Sequence, residues 1–274
     1  RAKAKPLSWI GEMAYQFLNL CFEDGVATLV LSRPSVLNAW NEQMRGEMGE
    51  AVRSLVHNHD LRVLIITGEG RAFSAGEDVR DMKTLADVDT RRFRRVARDI
   101  HNVFDEIEAL EAPVIAALNG VAAGGGLELA LSCDFRIASE AAKLGFPETN
   151  VGLIPGSGGC SRLVRLVGLA HAKRLVMTGE MIPAQRALEL GLVEEVVPAD
   201  HLLPRVEELA RQLAAKAPLA LGLAKLVLNA CLTTDPQTGR NLERLGQSIL
   251  KKTEDHVEGV QAFMEKRKPE FRGR

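Results

Sequence analysis

Pro113-Val-Ile-Ala-Ala-Leu118-Asn-Gly120-Val-Ala-Ala-Gly124-Gly-Gly126-Leu-Glu128-Leu-Ala-Leu131 is the stretch on which the fold turns. Val114–Leu118 is a short apolar run opened by Pro113 and closed by Asn119-Gly120, the pattern of a strand buried on both faces. Three consecutive glycines follow, and the run 127–131 reads as a helix, so the spacing predicts a helix that starts on glycine. Phe135-Arg-Ile-Ala138 then predicts the next strand. A strand, a helix and a strand in so short a span form the unit of an α/β sheet.

Outward from this unit the design repeats. Val63-Leu-Ile-Ile-Thr67, closed by Gly68, predicts a second buried strand. Phe17–Phe22 and Val26–Leu31 flank Glu23-Asp24-Gly25, and Asp-Gly between apolar runs predicts a hairpin. From Asn41 the apolar positions become Met44, Met48, Val52 and Leu55, one face of a helix with Asn41 as its N-cap. The Arg- and Asp-rich segment 78–99 reads as a mobile flap ahead of a helical pattern through Ile100, Phe104 and Ile107. Beyond Pro183 the chain predicts a helix over 184–190, a short strand over 193–197, and helices over 202–217, 219–232, 239–251 and 257–267. The reading is a sheet-based core over 1–198 with a helical C-terminal module over 199–274.

Composition sets limits. Of 274 residues, 46% are apolar and 26% charged, which excludes a disordered or fibrous chain. Lys and Arg number 35 against 36 Asp and Glu, so a nucleic-acid footprint spread across the surface has no electrostatic basis. The longest uncharged stretch, 112–127, is interrupted by Asn119 and glycines and falls short of the roughly 20 residues of a membrane span. Cys21, Cys133, Cys160 and Cys231 form no CxxC pair and read as small core residues of a reducing compartment, hence a cytoplasmic protein. The basic opening Arg1-Ala-Lys-Ala-Lys-Pro6 fits a frayed start or the remnant of a trimmed leader, which would make the mitochondrial matrix the alternative.

Three segments carry unusual local chemistry. In Arg71-Ala-Phe-Ser-Ala-Gly76-Glu77-Asp78 a strand ends in a small-residue turn, and Gly76 permits a left-handed backbone. In 119–128 glycines open a helix whose first N–H groups lack partners and carry the positive end of the dipole. Phe146-Pro-Glu148 sets a carboxylate in a turn before the glycine-rich Gly152-Leu-Ile-Pro-Gly-Ser-Gly-Gly159. Singly these are turn formers and surface acids. Together, two N–H donors from separate glycine turns can hold one oxygen while two carboxylates move protons, an acid/base site around an enolate. No Gly-Lys-Ser/Thr loop exists, Ser74 and Ser157 miss the nucleophile-elbow pattern, and His57-Asn-His59 reads as a solvated helix end, so no metal is assigned.

These motifs, with Leu31-Ser-Arg-Pro34, Leu37-Asn-Ala39, Cys133-Asp134, Thr178-Gly179 and Gly191-Leu-Val193, resemble the crotonase (enoyl-CoA hydratase/isomerase) superfamily over nearly the whole chain. The resemblance implies an α/β fold: a spiral of ββα units with a C-terminal helical trimerisation module, assembled as a homotrimer or a dimer of trimers. It implies an enoyl-CoA hydratase whose substrate is a coenzyme A thioester, with no cofactor, nucleic acid or membrane partner. By motif position the oxyanion donors are the backbone N–H groups of Glu77 and Gly125, the first of these often Ala or Leu in the family. Glu128 is the base toward water and Glu148 the proton donor to Cα. Arg33, Ala75, Asp78 and Arg80 fall at positions associated with CoA, and Phe263 and Lys266 in a helix lent by a neighbouring subunit. Trp40, Met82 and Leu85 are candidates for the acyl pocket. A sibling reaction on the same scaffold and a non-catalytic or RNA-binding relative are the competing readings.

Overall fold

In the computed structural model, residues 15–80 and 89–274 are described. The hairpin forms where Asp-Gly stands: β1 (Leu18–Glu23) and β2 (Val26–Leu31) pair antiparallel. Asp24 at φ 49° and Gly25 at φ 80° supply the two left-handed residues of a tight hairpin turn. The chain then runs through α1 (Glu42–Val56), with the Asn41 Oδ1 cap accepting the Met44 N–H at 3.0 Å, into β3 (Val63–Gly68) and β4 (Ala72–Ser74). Helix α2 (Thr90–Ala109) leads to β5 (Val114–Leu118), β6 (Val121–Ala123) and α3 (Gly125–Leu131). The next coil holds β7 (Phe135–Ser139), β8 (Lys143–Gly145), a 3-10 turn at Pro147–Val151 and α4 (Gly159–Thr178). After β9 (Met181–Pro183), α5 (Ala184–Glu189) and β10 (Glu195–Val197) come α6 (Leu202–Ala214), α7 (Pro218–Cys231), α8 (Pro236–Leu250) and α9 (Glu254–Glu265).

The strands form two sheets, β1-β2-β3-β5-β7-β10 and β4-β6-β8-β9. Pairing is parallel from β2 to β10 and from β4 to β8, so from β3 to α4 each coil of the chain lays one strand in each sheet and then a helix. The unbroken apolar runs have their cause here. Leu64, Ile66, Ala116 and Leu118 face the main core with Phe73, Phe104 and Phe146. Their alternates Val63, Ile65, Ile115 and Ala117 face outward against Leu202, Val206 and Ala210 of α6. A strand covered on both faces needs no polar side, and each such Leu, Ile or Val contributes about 1.5–3 kcal/mol by leaving water. Further on, Lys225 of α7 reaches Asp134 at 2.7 Å, and buried Asp255 of α9 accepts the N–H groups of Arg272 and Gly273.

Two expectations are corrected, and two features have no counterpart in the sequence pattern. The polar segment is not a flap throughout: from Thr90 it is helix, capped by Asp89, which accepts the N–H groups of Arg91 and Arg92. Helix α4 has no counterpart in the sequence reading, because Gly168 at φ 75°, ψ 162° breaks it and resets the apolar spacing midway. The strands of the smaller sheet, three residues each, are too short to show a period in the sequence. Cys21 and Cys133 are buried, but Cys160 and Cys231 are exposed.

Candidate active site

Two glycine turns from neighbouring coils meet. The Trp40 N–H donates to Gly76 O and the Asp78 N–H to Trp40 O, both at 2.9 Å, an isolated parallel bridge centred on Glu77. In such a bridge the flanking peptides make the bonds, so the N–H of Glu77 points to the side opposite Trp40. Gly76 takes φ +83°, and a Cβ there would lie 2.8 Å from the Gly125 nitrogen. Only glycine lets the turns approach so closely. Gly125 is the first residue of α3, where the N–H has no acceptor within the helix. The Glu77 carboxylate is turned aside: it accepts from Trp40 Nε1 at 3.2 Å and pairs with Arg45 of α1.

Both sequence-assigned glutamates flank this junction. Glu128, one turn into α3 and 3% exposed, uses Oε1 to accept the N–H groups of Ser157 at 2.7 Å and Gly159 at 2.8 Å. It thereby anchors the start of α4. Burial raises its pKa, while those two N–H groups and the charges of His101 and Arg162 oppose the rise. Glu148 sits in the 3-10 turn with Oε1 only 2.9 Å from where a Cβ on Gly124 would stand. Its Oε2 is buried without a hydrogen-bond partner. Burial, reinforced by the charge of Glu128, pushes the Glu148 carboxyl up to about 7. A buried carboxyl oxygen left unused is costly to keep and marks a place where another polar group belongs.

The sequence reading missed what holds the glycine loop. Arg162, 8% exposed, donates to Ser157 O at 3.1 Å while pairing with Asp105 and Glu108 of α2. It ties to α2 the same residue whose N–H binds Glu128, and a His101 ring nitrogen contacts Gly156 O, the carbonyl of the peptide that carries that N–H. His101, Asp105, Gly156, Ser157 and Cys160 line a cleft of about 390 Å³ beside it. An arginine inside a helix pattern carries no sequence signal for this duty.

The candidate CoA residues divide. Arg33 is engaged inside the protein, donating to Ala39 O, lying 3.3 Å from Asp78 and standing 5.0 Å over the Phe17 ring. Arg80, two-thirds exposed, grips Asp78 at 2.7 Å, and that bond is the main reason the Asp78 carboxyl sits far below the usual range. The Ala75 N–H donates to Leu37 O. Phe263, 86% exposed, projects from α9, and Lys266 caps that helix with φ 55°. Trp40 is buried, with its ring edge on Phe104 at 5.9 Å, while Met82, Leu85 and the segment Arg1–Pro6 lie outside the described residues. Among the described residues no group of three or more His, Cys, Asp or Glu could hold a metal, and no single helix is long and apolar enough to cross a membrane.

Known proteins share this architecture. A crotonyl-CoA hydratase of Syntrophomonas wolfei is 42% identical over 260 residues, 94% of this chain and 99% of that protein. A short-chain-enoyl-CoA hydratase of Clostridium acetobutylicum is 39% identical over 249 residues, covering 90% and 95% of the two chains. The 1.8 Å crystal structure of an enoyl-CoA hydratase from Bacillus anthracis superposes with a TM-score of 0.89 at 39% identity, over 94% of this chain and 100% of the other. The family profile described as enoyl-CoA hydratase/isomerase matches residues 21–274, and the chain belongs to that family.

Proposed function

We propose that the chain is an enoyl-CoA hydratase, a hydro-lyase that adds water across the 2,3 double bond of a 2-enoyl-CoA. The thioester oxygen lies between the N–H groups of Glu77 and Gly125. As water attacks C3, the double-bond electrons move onto that oxygen, and the enolate gains more from fixed donors than the ground-state carbonyl does; one such donor is worth about 2.7–4 kcal/mol. Glu128 takes the proton from water and Glu148 delivers one to C2, so the reaction needs no redox partner or metal. The observation that carries this reading is Glu148: a half-buried carboxyl, pushed up to about 7 and with its buried Oε2 unused, held against the glycine turn. A group protonated near neutrality is the donor the second half of the reaction requires. The hydratase names of relatives near 40% identity support the substrate class.

In the same reading, Arg33, Asp78 and Arg80, with Phe263 and Lys266 of a neighbouring copy, bind the CoA moiety. The exposed Leu226, Leu228, Leu245 and Ile249 form the face on which three copies assemble, singly or as two stacked trimers. The test is direct. Mixing the protein with crotonyl-CoA should bleach the conjugated thioester absorbance, and Glu148→Gln should slow this by about 10²–10⁴-fold while binding of butyryl-CoA stays nearly intact. A flat trace for the unaltered protein across several enoyl-CoAs would assign the scaffold to another reaction.

A further inference from the structure

We propose that Trp40, Glu77 and Arg45 form a brace that positions both donors of the oxyanion pocket and cancels the charge of the acid standing at one of them; the inference rests on the hydratase reading. Trp40 touches each half of the pocket. Its backbone makes two bonds to the 76–78 turn, and a Cβ on Gly125 would lie 2.6 Å from its Cζ2, so the indole presses against the first peptide of α3. On its far side the ring is locked edge-on by Phe104, with 1% of the residue exposed. The indole Nε1 reaches across to Glu77 at 3.2 Å. One side chain thus fixes the spacing between two N–H groups from different coils.

Glu77 needs the third member. A carboxylate on the very residue whose N–H meets the enolate would repel that charge in a poorly hydrated site. Arg45 removes the conflict by pairing with it, at side-chain exposures of 13% and 17%. Glu77 is therefore both a strut, held by Trp40 and Arg45, and a charge that Arg45 neutralises. Trp40, Glu77 and Arg45 act as positioning residues here, since their side chains touch one another and the turns rather than the reacting atoms.

Charge cancellation separates this role from simple packing. In the full-length protein, Arg45→Met should lower kcat and kcat/KM for crotonyl-CoA together, by about tenfold or more, because the lost stabilisation belongs to the transition state. The dissociation constant of butyryl-CoA should barely move. Adding Glu77→Gln should restore most of the rate, because the stranded charge is then gone. Trp40→Phe, which keeps a ring on Gly125 and loses the Nε1 donor, should show a smaller fall in kcat at unchanged KM. Should Arg45→Met fail to fold, Arg45→Gln with and without Glu77→Gln makes the same comparison. A double variant as slow as the single one, or a single variant with normal kcat, overturns the brace and leaves the hydratase reading standing. An unaltered protein that hydrates no enoyl-CoA overturns both.

Discussion

Glu128 and Glu148 carry the same functional group in opposite circumstances. The first spends one oxygen on two backbone N–H groups and answers to nearby cationic side chains, whereas the second has an oxygen with no partner. Burial raises both carboxyls, and only at Glu128 do two backbone N–H groups and cationic side chains oppose the rise. The proposed hydration needs Glu148 protonated and Glu128 ionised, and dehydration the proton on the other member. These are one protonation state of a coupled pair, so both directions share one pH profile. A carboxyl raised to about 7 keeps its proton below that pH and loses it above, so kcat/KM should fall as pH climbs through about 7. That limb should be missing from the residual activity of Glu148→Gln. Retention of the limb in that variant would place the titrating group elsewhere. The identity of the two acids was legible in the sequence through motif and resemblance; their inequality was not, because it arises from what packs around them.

At the scale of elements, the glycine start of α3 was readable from three glycines after a strand, and the hairpin from Asp-Gly. The link between α3 and α4 was not. It runs from Glu128 to Ser157 and Gly159 across roughly thirty residues, and from Ser157 on through Arg162 to α2. No local pattern encodes contacts of that separation, and the Gly168 break hid α4 itself. The link predicts a split between two variants. Glu128→Ala strands the buried N–H of Gly159 and the half-buried N–H of Ser157 and should lower unfolding stability by about 2 kcal/mol. Glu128→Gln keeps an acceptor for them and should unfold nearly as the parent does, though hydration is lost in both. Chemical denaturation beside the absorbance assay measures the two effects. Equal stability losses would mean the carboxylate does not anchor α4.

Across the whole molecule, the sequence pattern conveyed the longer strands of the main sheet but not the three-residue strands of the second sheet, which are too short to show a period. It foresaw the C-terminal helices, and their surfaces now show why assembly is expected: Leu228 is 68% exposed and Met264 76%. Apolar area of this kind is seldom left to water by a soluble protein. Sedimentation should therefore find three or six copies together at micromolar concentration, and a stable single copy would remove the proposed lender of Phe263 and Lys266. The meeting of Gly76 with Gly125 has a further consequence. In the proposed reading the pocket's donors are peptide groups contributed by adjoining coils, so a substitution at 77 leaves its N–H in place as long as glycine stands at 76 and 125 and the new side chain suits Trp40 and Arg45. What natural variation can rewrite is the furniture around a permanent fixture: which acids stand nearby and what shape of acyl group is admitted. Such a division of labour lets one scaffold diversify its chemistry without rebuilding its centre.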